Sequence, residues 1–267
     1  MYKSLLFVPG YRPDRFEKAD AAGPDAVCID LEDAVAPHAK HEACSVVAEY
    51  LQRGARHGLG VRINGPTTDL WHEDRDALRC APSAFVMTPK PESAEQVTRV
   101  SSRLGPGHPP LWAVIESVRG LQAVRDIAAV TGLAGLLFGA YDLSADLGCE
   151  PQWDCLLYAR GKVVAAGAET GLELLEAPWL GVADEVGLSE AAFRAKTMGF
   201  TGCSCIHPKQ VRRVNEVFTP ATAEVEPARR MLEAFERSEG GVALLDSKLI
   251  EAPIVRSARR VLDKAGG

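Results

Sequence analysis

Glu116 closes the apolar run Trp112-Ala-Val-Ile, and Asp142 follows Leu136-Leu-Phe-Gly-Ala-Tyr. An apolar run ending in a carboxylate is how a buried parallel strand hands a charged side chain to a site at its C-terminal end. Two such ends side by side would form a nest of hard oxygens suited to Mg²⁺ or Mn²⁺. They would also need the cation, because two uncompensated buried carboxylates otherwise force proton uptake. A divalent ion held there could polarise a substrate oxygen. The plainer alternative is that each acid caps the helix that follows it, stabilising that N-terminus by about 1 kcal/mol.

Other charged residues follow short apolar runs in the same way. Arg62 emerges from Gly60-Val-Arg-Ile-Asn64, and its fork suits a carboxylate or a thioester oxygen. It could equally pair with Glu32 or Asp33 on a neighbouring strand end. Asp30-Leu-Glu-Asp33 offers three acids in four residues. By strand alternation Asp30 and Glu32 share a face, which makes Glu32 a candidate base, while Asp33 points elsewhere or caps a helix. Arg12, Arg15 and Lys40 lie on early loops and could meet the phosphates of a large ligand, or simply be solvated. Lys90 after Thr88-Pro could serve as a Schiff-base amine, although a metal pair makes that role superfluous. His207 fits a role in orienting the last turn better than one in catalysis.

These residues need elements to position them. Short apolar runs begin near Ser4, Ala26, Gly60, Ala84, Pro110, Gly135, Leu172 and Gly202, and every interval is long enough for a strand, a helix and two loops. The intervening segments read as amphipathic helices. Residues 38–54 place Ala43, Val46, Val47, Tyr50 and Leu51 on one stripe. Ser93 with Gln96 opens another as a capping box. Residues 118–131 carry Leu121, Val124 and Ile127 inward and stop at Gly132. Eight strand–helix units predict an α/β fold closed as a (β/α)₈ TIM barrel. The rival is a doubly wound open sheet, but no Gly-x-Gly-x-x-Gly follows the first strand. The barrel is expected over 1–218 and a C-terminal helical extension over 219–267. In the extension, Pro220 and Pro227 would flank a polar connection ahead of a charged helix (228–239), an extended piece (Val242–Ile250) and a last helix (252–264). This extension is surplus to eight units and is expected to pack on the barrel mouth or on a neighbouring subunit.

The 267 residues are 46% apolar, enough for one large core, and carry a formal charge of −6. That balance argues against a general nucleic-acid or anionic-membrane binder. Seven cysteines without a CxxC pair do not make a four-ligand zinc site and read as reduced core thiols of a cytoplasmic protein. The apolar stretch at the N-terminus is too short for a signal peptide, and no run is long enough to span a bilayer.

Taken together, Leu6-Phe-Val-Pro-Gly, Asp30-Leu-Glu-Asp-Ala-Val, Val61-Arg-Ile-Asn-Gly, Ile115-Glu, Phe138-Gly-Ala-Tyr-Asp-Leu and Cys205-Ile-His-Pro-Lys-Gln occur in one order. In this the chain resembles the citrate lyase β-subunit (CitE-like) family of the aldolase/citrate lyase superfamily, from Leu5 to the last helix. The resemblance implies a TIM barrel, usually trimeric, that cleaves a β-hydroxyacyl-CoA thioester into an acyl-CoA and a 2-oxo acid. It implies Mg²⁺ on Glu116 and Asp142, substrate held by Arg62, and an oxo-acid pocket lined by Gly139 and Ala140. Two departures stand out. Where stand-alone relatives carry a tail aspartate that acts as acid/base across the subunit interface, Lys248-Leu-Ile-Glu-Ala-Pro253 has Glu251. Gly202-Cys-Ser-Cys-Ile-His also lacks the lysine that often follows this glycine, which would remove a positive charge near the mouth. Alternatives are a β subunit acting on an acyl-carrier-protein thioester within a complex, thioester hydrolysis or condensation on the same site, and a non-catalytic binding barrel.

Overall fold

Each apolar run becomes a short buried strand. In the computed structural model, residues 1–54, 58–79, 83–238, 241–246 and 248–265 are described. The eight strands are β1 (Ser4–Pro9), β2 (Ala26–Asp30), β3 (Leu59–Arg62), β4 (Phe85–Thr88), β5 (Leu111–Ile115), β6 (Leu133–Phe138), β7 (Glu173–Glu176) and β8 (Gly202–Cys205). All pair in parallel and in sequence order, and β8 returns to β1 with Leu5 opposite Ser204. That last pairing closes the barrel and rules out the open doubly wound sheet.

Leu5, Ala26, Cys28, Phe85, Met87, Trp112, Val114, Leu137 and Leu175 fill the interior. The period-2 alternation that puts them there also decides what crowns the barrel. Two residues beyond Cys28, Val114 and Leu137 lie Asp30, Glu116 and Gly139, and Arg62 stands two beyond Gly60. Gly60 leaves room for the Phe85 ring, which a Cβ there would meet at 2.4 Å.

The outer layer holds α1 (Phe16–Ala21), α2 (Lys40–Leu51), α3 (Trp71–Arg79), α4 (Ala94–Leu104), α5 (Val118–Gln122), α6 (Val124–Ala128), α7 (Ala140–Leu147), α8 (Leu157–Thr170), α9 (Glu185–Met198) and the start of α10 (Pro208–Phe218). Several expectations change here. A single-turn 3₁₀ helix, Pro37–Ala39, precedes α2, and Cys44 rather than Val46 joins its buried stripe. The helix expected over 118–131 is two short ones hinged at Ala123; Leu121, Val124 and Ile127 are still buried. Ser93 caps α4 as expected, but Gln96 Oε1 accepts from the amide of Glu92 instead of completing the box on Ser93. Between β6 and β7 the chain inserts an additional helix, α7, ahead of α8.

The chain divides into two compact units, Tyr2–Asn215 and Glu216–Gly267 with Met1. In the second, α11 (Thr222–Arg237) starts ahead of Pro227 and carries it inside the helix, contrary to the expected polar connection. Glu224 Oε2 accepts from the Ala221 amide at 2.9 Å, and this cap holds the first turn despite the hydrogen bond that proline removes. A hairpin, β9 (Ala243–Leu245) with β10 (Lys248–Ile250), leads to α12 (Ala252–Ala265). Ala243, Ile250 and Val255 form a small core there with Met231, Leu232 and Phe235. Residues 239–240, 247 and 266–267 of the expected extension lie outside the described residues.

Cys28, Cys44, Cys203 and Cys205 are buried free thiols, whereas Cys155 is exposed and Cys149 half-buried, so core burial does not extend to those two. Cys80 lies outside the described residues. No described helix is long and apolar enough to cross a membrane.

Candidate active site

A cavity of about 380 Å³ opens at the C-terminal end of the barrel and is lined by Asp30, Asp33, Arg62, Glu116, Gly139, Ala140 and Asp142 among others. Strand register explains the central ion pair. Asp30 is the direct partner of Arg62 across β2 and β3. Arg62 donates through Nε to Asp30 Oδ1 at 2.7 Å and through Nη2 to Oδ2. Asp30, 2% exposed, also accepts from the amides of Glu32 at 2.9 Å and Ala34 at 3.0 Å. Its oxygens are therefore fully used in holding the guanidinium and the loop. Burial opposes the Arg62 charge, but the hydrogen bonds and charge of Asp30 outweigh it and raise the pKa above its ordinary value. Only Nη1 faces elsewhere, 3.0 Å from Glu32 and 3.2 Å from Asp33. The ion pair with Glu32 or Asp33 that the sequence offered as the alternative for Arg62 is present with both, but the principal partner is Asp30.

Glu116 and Asp142 do not cap the helices behind them. Ser117 caps α5, accepting from the Gly120 amide at 3.0 Å, and α7 starts at Ala140, leaving Asp142 in its first turn with Gly139 at the cap. Glu116 is 5% exposed. Burial pushes its pKa up to about 7; Arg62 pulls it down, Asp142 and Asp33 push it up, and the Lys90 backbone amide pulls it down. Lys90 thus acts through its backbone, at φ 44°, while its side chain is exposed. Gly139 lies alongside Glu116, its amide on Ile115 O at 3.0 Å. A Cβ at Gly139 would sit 2.5 Å from Glu116 Cβ and 3.0 Å from Oε2, so only glycine fits. Asp146 ties the two acid-bearing turns together by accepting from the Val118 amide at 2.7 Å.

Glu32 lies beside this cavity, lining a neighbouring one of about 420 Å³ with Asp33, Lys40 and Asn64. Burial pushes its pKa up to about 8, against the pull of Arg62 and with the push of Asp33, Glu116 and Asp30. Its Oε2 is buried without a hydrogen bond; Arg62 Nη1 is near enough for charge but not aligned to donate.

Lys40 lines that second cavity, but its ammonium is committed within the protein. Its Nζ donates to Leu31 O at 3.1 Å, Glu32 O at 2.9 Å and Asn64 Oδ1, using all three protons to staple the acidic loop. Asn64 is held in turn by Asp74, which accepts from its amide at 2.6 Å and its Nδ2 at 2.8 Å. Arg12 is forked onto Asp14 at 2.8 and 2.9 Å and lines neither cavity. His207 accepts from the Lys209 amide at 3.2 Å, orienting the start of α10. Cys203, the position at which the resemblance implied a lysine, is buried beside Glu176 rather than at the mouth; Ile206 lines the mouth instead. Glu251 stands in the second unit, exposed, immediately before α12, its carbonyl accepting from Ile254 at 2.9 Å.

The sequence reading overlooked Asp74, Tyr141 and the buried pair Arg160–Glu176 (2.9 and 3.0 Å). It also undervalued Asp30, although alternation from Ala26 and Cys28 pointed to it.

The acid cluster suits a hard divalent cation. Asp30, Asp33, Glu116 and Asp142 face one arginine, and Glu116 is driven toward protonation in the bare protein. No group of three or more His, Cys, Asp or Glu among the described residues is arranged to hold a metal. Two carboxylates fit Mg²⁺, which keeps several waters or substrate oxygens rather than an all-protein cage.

The sequence profile of the HpcH/HpaI aldolase/citrate lyase family matches residues 3–208. The chain is 34% identical to (3S)-malyl-CoA thioesterase of Cereibacter sphaeroides (strain ATCC 17025) over 271 residues, which cover 99% of this chain and 94% of that protein. It is likewise 34% identical to citrate lyase subunit beta-like protein of Mycobacterium tuberculosis, over 98% of this chain and 94% of that protein. Among solved structures, CitE from Mycobacterium tuberculosis in complex with magnesium, acetoacetate and coenzyme A superposes with a TM-score of 0.86 at 32% identity, covering 99% of this chain and 98% of that one. RipC from Yersinia pestis gives 0.74 at 37% identity, covering 84% and 97%. A crowned eight-stranded barrel, matching sequence and matching architecture lead to one conclusion: the chain belongs to the HpcH/HpaI aldolase/citrate lyase family and is a lyase-family enzyme.

Proposed function

We propose that the protein is a Mg²⁺-dependent carbon–carbon lyase that cleaves a β-hydroxyacyl-CoA thioester into an acyl-CoA and a 2-oxo acid. The observation that carries this reading is the pairing of Glu116 and Asp142 at one cavity with an arginine already locked in place by Asp30. The magnesium and coenzyme A complex of the Mycobacterium tuberculosis relative supports the same choice of cation and thioester.

Glu116 and Asp142 would hold the metal, and Mg²⁺ bound there would supply the positive charge that lowers the pKa of the substrate hydroxyl and polarises the forming oxo group. Gly139 and Ala140 present the N-terminal turn of α7 to the oxo acid. Arg62, fixed on two of its edges by Asp30, turns Nη1 toward the thioester oxygen, displacing the longer contact to exposed Asp33, and stabilises the enolate as the C–C bond breaks. The hydroxyl proton must leave and the enolate carbon must gain one. Glu251, supplied by a neighbouring copy, would take the hydroxyl proton, and Glu32, whose buried carboxyl is protonated at neutral pH, would deliver one to the enolate carbon. Copies associate as a homo-oligomer, taken as a trimer, in the cytoplasm.

A second reading is favoured by the malyl-CoA thioesterase relatives: the same site hydrolyses the thioester and leaves the carbon skeleton whole. The two are separated by product. Citryl-, malyl-, citramalyl- and methylmalyl-CoA are incubated with Mg²⁺, and both free CoA and 2-oxo acid are quantified. The lyase releases 2-oxo acid without stoichiometric CoA, and Glu116→Gln or Asp142→Asn lowers that rate at least 10³-fold in a folded protein. Undiminished turnover in both variants would remove the metal assignment.

A further inference from the structure

Two strand ends beside the candidate site are joined by side chains where the backbone ladder stops. β7 pairs with β8 through Leu175 opposite Gly202 and Glu176 opposite Cys203, and the ladder ends there. Just beyond it the Ser204 hydroxyl donates to Glu176 O at 2.9 Å. The next link is the side chain of Gln210, from the first turn of α10. Its Nε2 donates to Trp179 O at 2.7 Å, and its Oε1 accepts from the amides of Ile206 at 3.0 Å and His207 at 3.2 Å. A primary amide carries the donor and the acceptor of a peptide group, so Gln210 stands in for a rung that the parting strands no longer make. It is 2% exposed, and these bonds are what offsets the burial of its polar atoms.

The segments it joins line the site. Ala177 and Pro178 on one side of the join, and Ile206 on the other, form part of the wall of the cavity that also holds Arg62, Glu116 and Asp142. Adjacent carbonyls anchor the turn after β7: Pro178 O accepts from the Tyr141 hydroxyl at 3.0 Å, and Trp179 O accepts from Gln210. Trp179 adds no polar anchor through its side chain, because its Nε1 is buried without a hydrogen bond. Its ring is packed where a Cβ on Gly187 would meet it at 2.6 Å. Gln210 itself does not line the cavity.

We infer that Gln210 is a positioning residue for the reaction proposed above: it clamps the turn after β7 to the turn after β8 and so fixes the wall of Ala177, Pro178 and Ile206 against which bound substrate lies. The inference rests on that reading in taking this cavity for the substrate's. A wall of this kind touches the non-reacting part of a substrate in the ground state and the transition state alike. Loosening it therefore raises KM and leaves kcat nearly unchanged.

Two substitutions of similar size take the clamp apart. Gln210→Glu keeps an acceptor for the Ile206 and His207 amides but loses the donor to Trp179 O, and Gln210→Met loses both. Amide hydrogen exchange is followed over 177–184 and 206–209, Mg²⁺ affinity by isothermal titration calorimetry, and KM and kcat with the thioester of the panel above that the wild type turns over fastest. Residues 177–184 should exchange faster in both variants, and 206–209 in Gln210→Met alone. KM should rise at least tenfold, with kcat and Mg²⁺ affinity within threefold of wild type. Faster exchange with KM within threefold of wild type overturns the inference, and so does exchange no faster than wild type. A loss spread over KM, kcat and Mg²⁺ affinity alike marks a residue that only stabilises the fold, and overturns it too. In these cases the lyase reading stands. A wild-type protein that turns over none of the thioesters with Mg²⁺ overturns that reading and this inference with it.

Discussion

Glu116 and Glu32 are carboxyls that burial has pushed into the neutral pH range. A carboxyl whose folded pKa is raised binds its proton more tightly in the folded chain. Its stabilising contribution is fully present below the ordinary value of 4.5 and is lost as pH climbs, through about 7 for Glu116 and about 8 for Glu32. For Glu116 the loss is about 3 kcal/mol across that window. The metal-free protein is therefore expected to melt at a lower temperature at pH 8 than at pH 5.5, and Glu116→Gln should flatten the slope. Mg²⁺, which competes with the proton, should stabilise more at pH 8 than at pH 6. Scanning calorimetry in EDTA and in Mg²⁺ checks both, and a wild-type slope no steeper than that of Glu116→Gln would contradict the assignment.

The loops after β2 and β3 show how elements hold these residues still. Arg62 meets Asp30 because the register of two adjacent strands makes them neighbours. The acidic loop that follows is stapled by Lys40 from α2, which grips Asn64, and Asn64 is gripped by Asp74 from α3. Asp74 is 1% exposed, so removing it strands the amide and Nδ2 of Asn64 without acceptors. Asp74→Ala is predicted to cost about 2–4 kcal/mol in urea denaturation and to slow catalysis through the loosened loop. A change below about 0.5 kcal/mol would show that the chain of contacts bears no weight.

For the whole molecule, the open matter is what the second unit contributes. Glu251 is exposed at the start of α12, and its proposed acid/base role requires a second copy. Glu251→Ala alone should lower turnover at least tenfold with the fold intact. Mixing inactive Glu251→Ala and Glu116→Gln subunits by co-refolding should restore activity, since some sites would then combine an intact tail with an intact barrel. Wild-type turnover in Glu251→Ala, or no recovery in the mixture, would take the tail out of the reaction.

Strand positions were readable within two residues because apolar runs of four to six residues between turn signals leave little choice of where a buried strand starts. Alternation from Ala26 and Cys28, or from Trp112 and Val114, likewise names the residues that crown the barrel. Local sequence thus settled the eight strand–helix units, the closed α/β class and the charged strand ends. Partner choice was not legible. Asp30 rather than Glu32 holds Arg62, Lys40 turns inward, Pro227 sits inside a helix and Arg160 finds Glu176, because each depends on register or packing between segments far apart in the chain. Propensity and periodicity act among near neighbours, whereas a buried charge is placed by whichever distant group satisfies it, and only the folded barrel brings those groups together.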